Sequence, residues 1–217
     1  LDARFEAAVQ ALHPLVPDLT EALHAAAVQQ RADLVDLFLV SGRLDTRRAL
    51  FLLTRAGAGG HALARLLPFR RLDLEMIPDA DKSPDQVLKE ECCEALFAAA
   101  EAGNREAVMV LARETDPEDY RSHPLQVAAR QGHLSVIEAL APMSDVLVAL
   151  MVLAREGEDA AAARLAPYVP ESVLMGLENH SEWPLLARVP ALTTRLQARA
   201  FDAVLPPPAA VAVHARL

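Results

Sequence analysis

The feature that most constrains this chain is a pattern of about twenty residues that recurs along it. Copies begin at Leu23, Leu50, Leu96, Leu125, Leu150 and, in a weaker form, Leu174. Each opens with small apolar residues, as in Ala26-Ala27, Ala99-Ala100 and Ala128-Ala129, where alanine favours helix and lets a neighbouring helix come close. The second half carries longer apolar residues at i, i+3 and i+4, the stripe of a helix facing a core. Gly103, Gly132 and Gly157 separate the halves, where a residue tolerant of positive φ can end one helix before the next begins. Each copy therefore reads as helix, tight turn, helix. Tandem units of this kind predict an all-α stack of about six helix pairs, each burying its apolar face against its neighbours.

The copy at Leu125 is the most regular. From His123 to Leu140 it reads HPLQVAARQGHLSVIEAL, and it resembles the ankyrin-repeat pattern TPLHxAAxxGHxxVVxxLL. Pro124 and Leu125 fall on the opening Pro-Leu, Ala128 and Ala129 on the paired alanines, and Gly132 and His133 on the turn. Val136, Ile137 and Leu140 fall on the stripe of the second helix. The copy at Leu23 keeps Leu23, His24, Ala26 and Ala27, and that at Leu96 keeps Ala99, Ala100, Gly103, Val108 and Leu111. The resemblance implies an ankyrin-like helical-repeat solenoid. It departs from the family in its connections. An ankyrin unit runs about 33 residues with a hairpin finger, whereas copy starts here are separated by 27, 46, 29, 25 and 24 residues. Only Asp116 to Leu125 has room for a partial finger, so short turns are expected elsewhere.

The layout that follows is one domain over 1–217, with an N-terminal capping helix over 1–20. Repeats cover 21–71 and 95–192, separated by an irregular insertion over 72–94, and a C-terminal cap and tail occupy 193–217. Phe5, Ala8, Val9 and Leu12 form the stripe of the first cap. Leu192, Leu196, Ala200, Val204 and Leu205 form the last helix, before the apolar PPPAAVAVHARL. A tail left disordered, or kept as a peptide for a partner, is the alternative. Within the insertion, Asp79, Asp81, Ser83, Asp85 and Glu90 match positions 1, 3, 5, 7 and 12 of a calcium loop. Pro84, however, occupies the place where that loop needs glycine. A helix start accounts for the proline: Ser83 as N-cap, Pro84 at the first helical position and Gln86 closing a capping box.

Composition narrows the function. Hydrophobic residues make up 53% and aromatic residues only 4%, as expected where alanine and leucine fill thin layers between helices. Twenty-one basic residues stand against 30 acidic ones, a net charge of −9. That is the wrong sign for displacing counterions from phosphates, so nucleic acid is not an expected partner. No stretch approaches the ~20 apolar residues of a membrane span. Residues 1–12 lack the pattern of a signal peptide, and a cytoplasmic location is expected. Lysine occurs only at Lys82 and Lys89, beside abundant alanine and arginine, the composition expected of a GC-rich, bacterial genome. The chain opens without methionine, which suggests trimming, processing or a longer parent.

No catalytic constellation emerges. Cys92 and Cys93 are adjacent, a geometry unfavourable for a disulfide, with no CxxC spacing, and read as small buried helix residues. Absence of a disulfide framework fits a reducing compartment. Of the seven histidines, His24 falls in the ankyrin-like helix-one slot and His133 in the turn slot, where the resemblance implies a hydrogen bond to the adjoining unit's backbone. HExxH, nucleophile-elbow and phosphate-loop patterns are missing, and Gly57 to Gly60 reads as an inter-helix turn. No cofactor or metal is expected.

The resemblance implies a concave face built from the two positions before each turn. These are Val28-Gln29, Arg55-Ala56, Glu101-Ala102, Arg130-Gln131, Arg155-Glu156 and Asn179-His180. Candidate partner-binding residues are Gln29, Arg55, Glu101, Arg130, Gln131, Arg155, Glu156 and Asn179. Arg55, Arg130 and Arg155 stand out because a guanidinium fork binds carboxylates in bidentate fashion. The plainer alternative is solvated residues near helix ends. The function expected is a monomeric protein-interaction module: a scaffold, adaptor or inhibitor, for example a bacterial effector or immunity-type protein. The alternative is an ankyrin-like segment of a longer enzyme whose catalytic domain lies elsewhere.

Overall fold

A computed structural model describes residues 18–41, 44–55, 60–76, 81–115 and 119–204, with the side chains of 119–121 and 200–204 excepted. The described residues hold only helices, turns and bends, with no strand. Thirteen α-helices follow in order: α1 Thr20–Val28, α2 Ala32–Val40, α3 Thr46–Arg55, α4 Gly60–Met76, α5 Pro84–Ala102, α6 Arg105–Leu111 and α7 Asp119–Gln131. They continue as α8 Leu134–Leu140, α9 Val146–Arg155, α10 Asp159–Leu165, α11 Glu171–Leu174, α12 Trp183–Leu186 and α13 Pro190–Val204. Residues 1–17 of the proposed N-terminal cap, the tail beyond Val204, residues 56–59 and residues 116–118 lie outside the described residues.

Packing is serial. Each of α1, α3, α5 and α7 packs on its immediate successor and on the helix after that, so α1, α3, α5, α7 and α9 form one continuous row. Helices α2, α4, α6 and α8 contact one another in turn and form a second row. Beyond α9 the order loosens: α12 continues the first row, while α13 packs on α10 and the adjoining 3-10 turn. The core lies between the rows. It is built from the leucines that open the copies, since Leu23, Leu50, Leu96, Leu125 and Leu150 are all at most 1% exposed.

Local chemistry explains the helix limits. Asp145 caps α9, its Oδ1 accepting the Val148 amide at 3.0 Å, and Val146, Ala149, Leu150, Leu153 and Ala154 then turn inward together. Asn104 caps α6 through the Ala107 amide, and its Nδ2 donates to the Thr54 carbonyl at the end of α3. Ser83 caps α5 with Pro84 in the first turn: Gln86 N–H donates to Ser83 Oγ, and the Ser83 amide donates to Gln86 Oε1. The capping box read from the sequence is therefore the one formed.

Gly103, Gly132 and Gly157 adopt φ of 72°, 76° and 78°, and end α5, α7 and α9. In the first copy Gln30 occupies the same slot with φ 56°. Pro124 lies inside α7, where it cannot donate to the carbonyl four residues back. Two residues before it, Ser122 takes φ 57°.

Three expectations change. Asp119 to Leu125, where a partial finger had room, lie in α7. The stretch 72–94 is not an irregular insertion: Leu72 to Met76 complete α4, and Pro84 opens a 19-residue helix that runs straight through the start of the copy at Leu96. The sequence between copies is taken up by lengthening two helices, leaving only 77–80 outside the described residues. The sixth copy also falls short of a helix pair. Five pairs of ordinary form are followed by α11 and α12, each four residues long. Gly176 falls between α11 and the 3-10 turn, where it disfavours continued helix, and Pro184 stands in the first turn of α12, where it starts a helix but cannot continue one from before it.

Candidate functional site

The predicted partner-binding residues sit where equivalent slots would place them. Gln29 caps the end of α1, Arg55 ends α3, Glu101 lies in the last turn of α5, and Arg130 and Gln131 close α7. Arg155 and Glu156 close α9, and Asn179 ends a 3-10 turn after α11. Because α1, α3, α5, α7 and α9 pack in sequence, the first seven of these residues follow one edge of one row. Arg55, Arg130 and Arg155 stand in last turns, where a cation complements the helix dipole and the unpaired carbonyls.

The arginines differ in how much they are held. The Arg130 side chain is 27% exposed, donates through Nε to Glu158 Oε1 at 3.0 Å, and also pairs with Glu156. Arg155 donates to Glu182 Oε1 at 2.6 Å. Each therefore reaches into the following unit, forming a ladder of ion pairs along the edge. Glu156, itself a predicted contact residue, is a rung of that ladder. Arg55 is exposed and has no ion-pair partner among the described residues.

Beside this edge runs a strip absent from the sequence reading. Phe51 and Leu52 on α3, Phe97 and Ala98 on α5, Val127 on α7, and Met151 and Val152 on α9 are all half-buried. They occupy the one or two slots after each buried leucine, on helices that pack consecutively. A core would close over such side chains; here they stay partly in water. Phe97 also meets His123 edge-on, with ring centroids 5.0 Å apart. In the sequence the strip was hidden because these slots look like further core.

The second network missed is polar and periodic. The Asp45 amide donates to Thr20 Oγ1 and the Asp145 amide to Ser122 Oγ, each at 3.1 Å. Asp45 and Asp145 then accept the amides of Arg48 and Val148, three residues on. The carboxylates lie five residues before Leu50 and Leu150, and the hydroxyls three before Leu23 and Leu125. One hydroxyl and one aspartate thus fasten the start of a row helix to the unit before it. At Leu96 the aspartate slot holds Glu91, now inside a helix. Its carboxylate is buried and takes a bidentate pair from Arg70 at 2.7 and 2.8 Å, with Arg47 at 3.3 Å. The same Glu91 contact raises the Arg70 pKa and fixes its charge. Thr46 donates to Asp73 Oδ2 at 2.6 Å beside it.

His133 does what its slot implies. Its Nε2 donates to the Glu101 carbonyl at 2.9 Å, and its ring lies against Gly103. His24 is half-buried and makes no such bond among the described residues. Cys92 and Cys93 are buried and unbridged. Burial, reinforced by nearby Glu114, pushes the Cys92 thiol up to about 12, so it stays protonated at neutral pH. Among the described residues no group of three or more His, Cys, Asp or Glu is placed to hold a metal ion, and no helix is long and apolar enough to cross a membrane.

Comparison with protein-family models, with curated proteins and with solved structures returns no match for this chain.

Proposed function

We propose that this chain is an ankyrin-like helical-repeat solenoid that acts as a protein-interaction module, a scaffold, adaptor or inhibitor, and not as an enzyme. The observation that carries the reading is the half-buried strip Phe51–Leu52, Phe97–Ala98, Val127, Met151–Val152 across four consecutively packed helices. An apolar strip edged by ion pairs has the anatomy of an interface, with a desolvated centre and a polar rim. The partner is a protein, since the net charge of −9 repels nucleic acid. The same reading places the chain in the cytoplasm as a monomer. A bacterial effector or an immunity-type protein fits it equally well.

The test begins with affinity capture from the native lysate and mass spectrometry to obtain the partner. Calorimetry then compares the chain with Val127→Glu and Val152→Glu variants whose circular dichroism is unchanged. Placing a carboxylate in the strip is expected to weaken binding by at least about tenfold, the equivalent of ~1.4 kcal/mol. Unchanged affinity removes the strip from the interface.

A further inference from the structure

Resting on that reading, we infer that the α3 end of the face recognises an extended segment of the partner with the pattern acidic–x–apolar–x–acidic. A cavity of about 400 Å³ opens on α3, lined by Asp45, Arg47, Arg48, Phe51, Leu52 and Arg55. Three of its four charged groups are guanidiniums, in a protein where acidic residues outnumber basic ones by 30 to 21. The one carboxylate, Asp45, is already used by its Oδ1 to cap α3 through the Arg48 amide.

The arginines are not equally available. Arg48 is turned to α1, where it pairs with Asp18 and Glu21. Arg47 touches Glu91, but that carboxylate already holds the bidentate fork of Arg70, so Arg47 is a second cation on a matched anion. The Arg47 side chain remains 60% exposed. A guanidinium carries five N–H donors, and this contact leaves most of those on Arg47 open. Arg55 is exposed with no ion-pair partner among the described residues. Two available cations therefore flank the cavity, with Phe51 between them.

Their spacing sets the ligand. Arg47, Phe51 and Arg55 stand at i, i+4 and i+8 on one stripe of α3, which places the outer two about 12 Å apart at 1.5 Å per residue. An extended chain advances about 3.3 Å per residue, so carboxylates four residues apart lie about 13 Å apart. The central side chain, two residues from each, then falls over Phe51 and Leu52. Charge-assisted bonds to Arg47 and Arg55 fix the ends, and apolar burial anchors the middle.

Titration of the intact, 15N-labelled chain with the peptide Glu-Ala-Phe-Ala-Glu, followed by amide chemical shifts, tests this. Shifts centred on residues 47–55 are expected, with Lys-Ala-Phe-Ala-Lys and Glu-Ala-Ala-Ala-Glu at least about tenfold weaker. Arg55→Glu is expected to abolish the response to Glu-Ala-Phe-Ala-Glu and to favour a peptide with one glutamate changed to lysine, its thermal midpoint showing that the fold survives. Equal response to the acidic and basic peptides, no response, or no effect of Arg55→Glu overturns the inference. Shifts on α7 and α9 instead also overturn it, while leaving the interaction reading standing; that reading falls only with the strip variants above.

Discussion

The middle of the molecule and its C-terminal unit carry the same apolar slots but build different local structure from them. From Pro84 to Leu165 the slots lie on helices of seven to nineteen residues, joined by glycines at positive φ. From Glu171 to Leu186 they lie on two four-residue helices and a 3-10 turn. Yet Leu174, Leu177 and Leu186 are as buried as Leu125 or Leu150. Burial follows the apolar residues, whereas helix length follows local breaks: Gly176 disfavours helix after α11, and Pro184 can only open α12. The stack can thus be continued by a unit too irregular to form a helix pair, and that unit has fewer rigid neighbours to resist change.

The strongest way to break this comparison is to empty equivalent core sites. Leu125→Ala, in the tightly packed row, is expected to cost about 3–5 kcal/mol, because surrounding helices cannot collapse into the cavity. Leu186→Ala, at the same 0% exposure, is expected near the low end, about 2 kcal/mol, because α12 is short and can move. Urea unfolding of both variants measures it. Equal losses, or a larger one at Leu186, show that the terminal unit is as constrained as the middle.

A second contrast separates the two versions of the aspartate slot. Glu91→Ala leaves Arg70, 14% exposed, without its bidentate partner in the interior, and is expected to cost about 3 kcal/mol. Asp145→Ala removes a cap whose carboxylate faces water and is expected to cost about 1 kcal/mol. Because Glu91 carries charge, the first loss is also expected in Glu91→Gln, which keeps the shape; retention of full stability there makes the site a matter of packing alone.

How much of this was legible in the sequence depends on the kind of signal. The turn glycines, the Ser83–Pro84–Gln86 cap and the buried leucines could be read because one residue type at one spacing has one physical use. The length of α5 could not: the copy starting at Leu96 suggested a boundary, but nothing between Ser83 and Leu96 stops a helix. Thr20, Ser122, Asp45 and Asp145 were missed because a hydroxyl and an aspartate from different units acquire meaning only when the units stack. Arg55, Arg130 and Arg155 lie in the last turns of α3, α7 and α9, but the ladder to Glu156, Glu158 and Glu182 needed the spacing between units. Phe51, Phe97 and Met151 were hidden by adjoining true core positions.

The turn glycines provide a graded test of the stacking itself. All three lie at positive φ, so alanine costs about 1–2 kcal/mol at each. A Cβ on Gly132 would meet the Arg164 guanidinium at an ordinary 3.6 Å, and one on Gly157 would meet nothing within 4 Å. On Gly103 it would come within 2.7 Å of the His133 ring that bonds the Glu101 carbonyl. Gly103→Ala is therefore expected to lose the most stability in urea unfolding, and Gly132→Ala and Gly157→Ala about the same lesser amount. If all three match, the His133 contact between units is not a constraint on the turn.

The smallest effect is expected at the first turn, and its sign is the informative part. Gln30 holds at φ 56° the slot that Gly103, Gly132 and Gly157 fill elsewhere. A side chain there costs about 1–2 kcal/mol relative to glycine in the folded state. Glycine, in turn, loses more conformational freedom on folding, by roughly 0.5–1 kcal/mol. Gln30 is exposed, so its replacement forfeits little packing. The difference leaves Gln30→Gly stabilising by up to about 1.5 kcal/mol, seen as a higher urea midpoint with the slope unchanged. The reverse change, Gly157→Gln, in a turn with open space around it, is expected to lose a similar amount. If Gln30→Gly destabilises the protein, the first turn is held by something its glycine counterparts lack, and the slots are not equivalent along the chain.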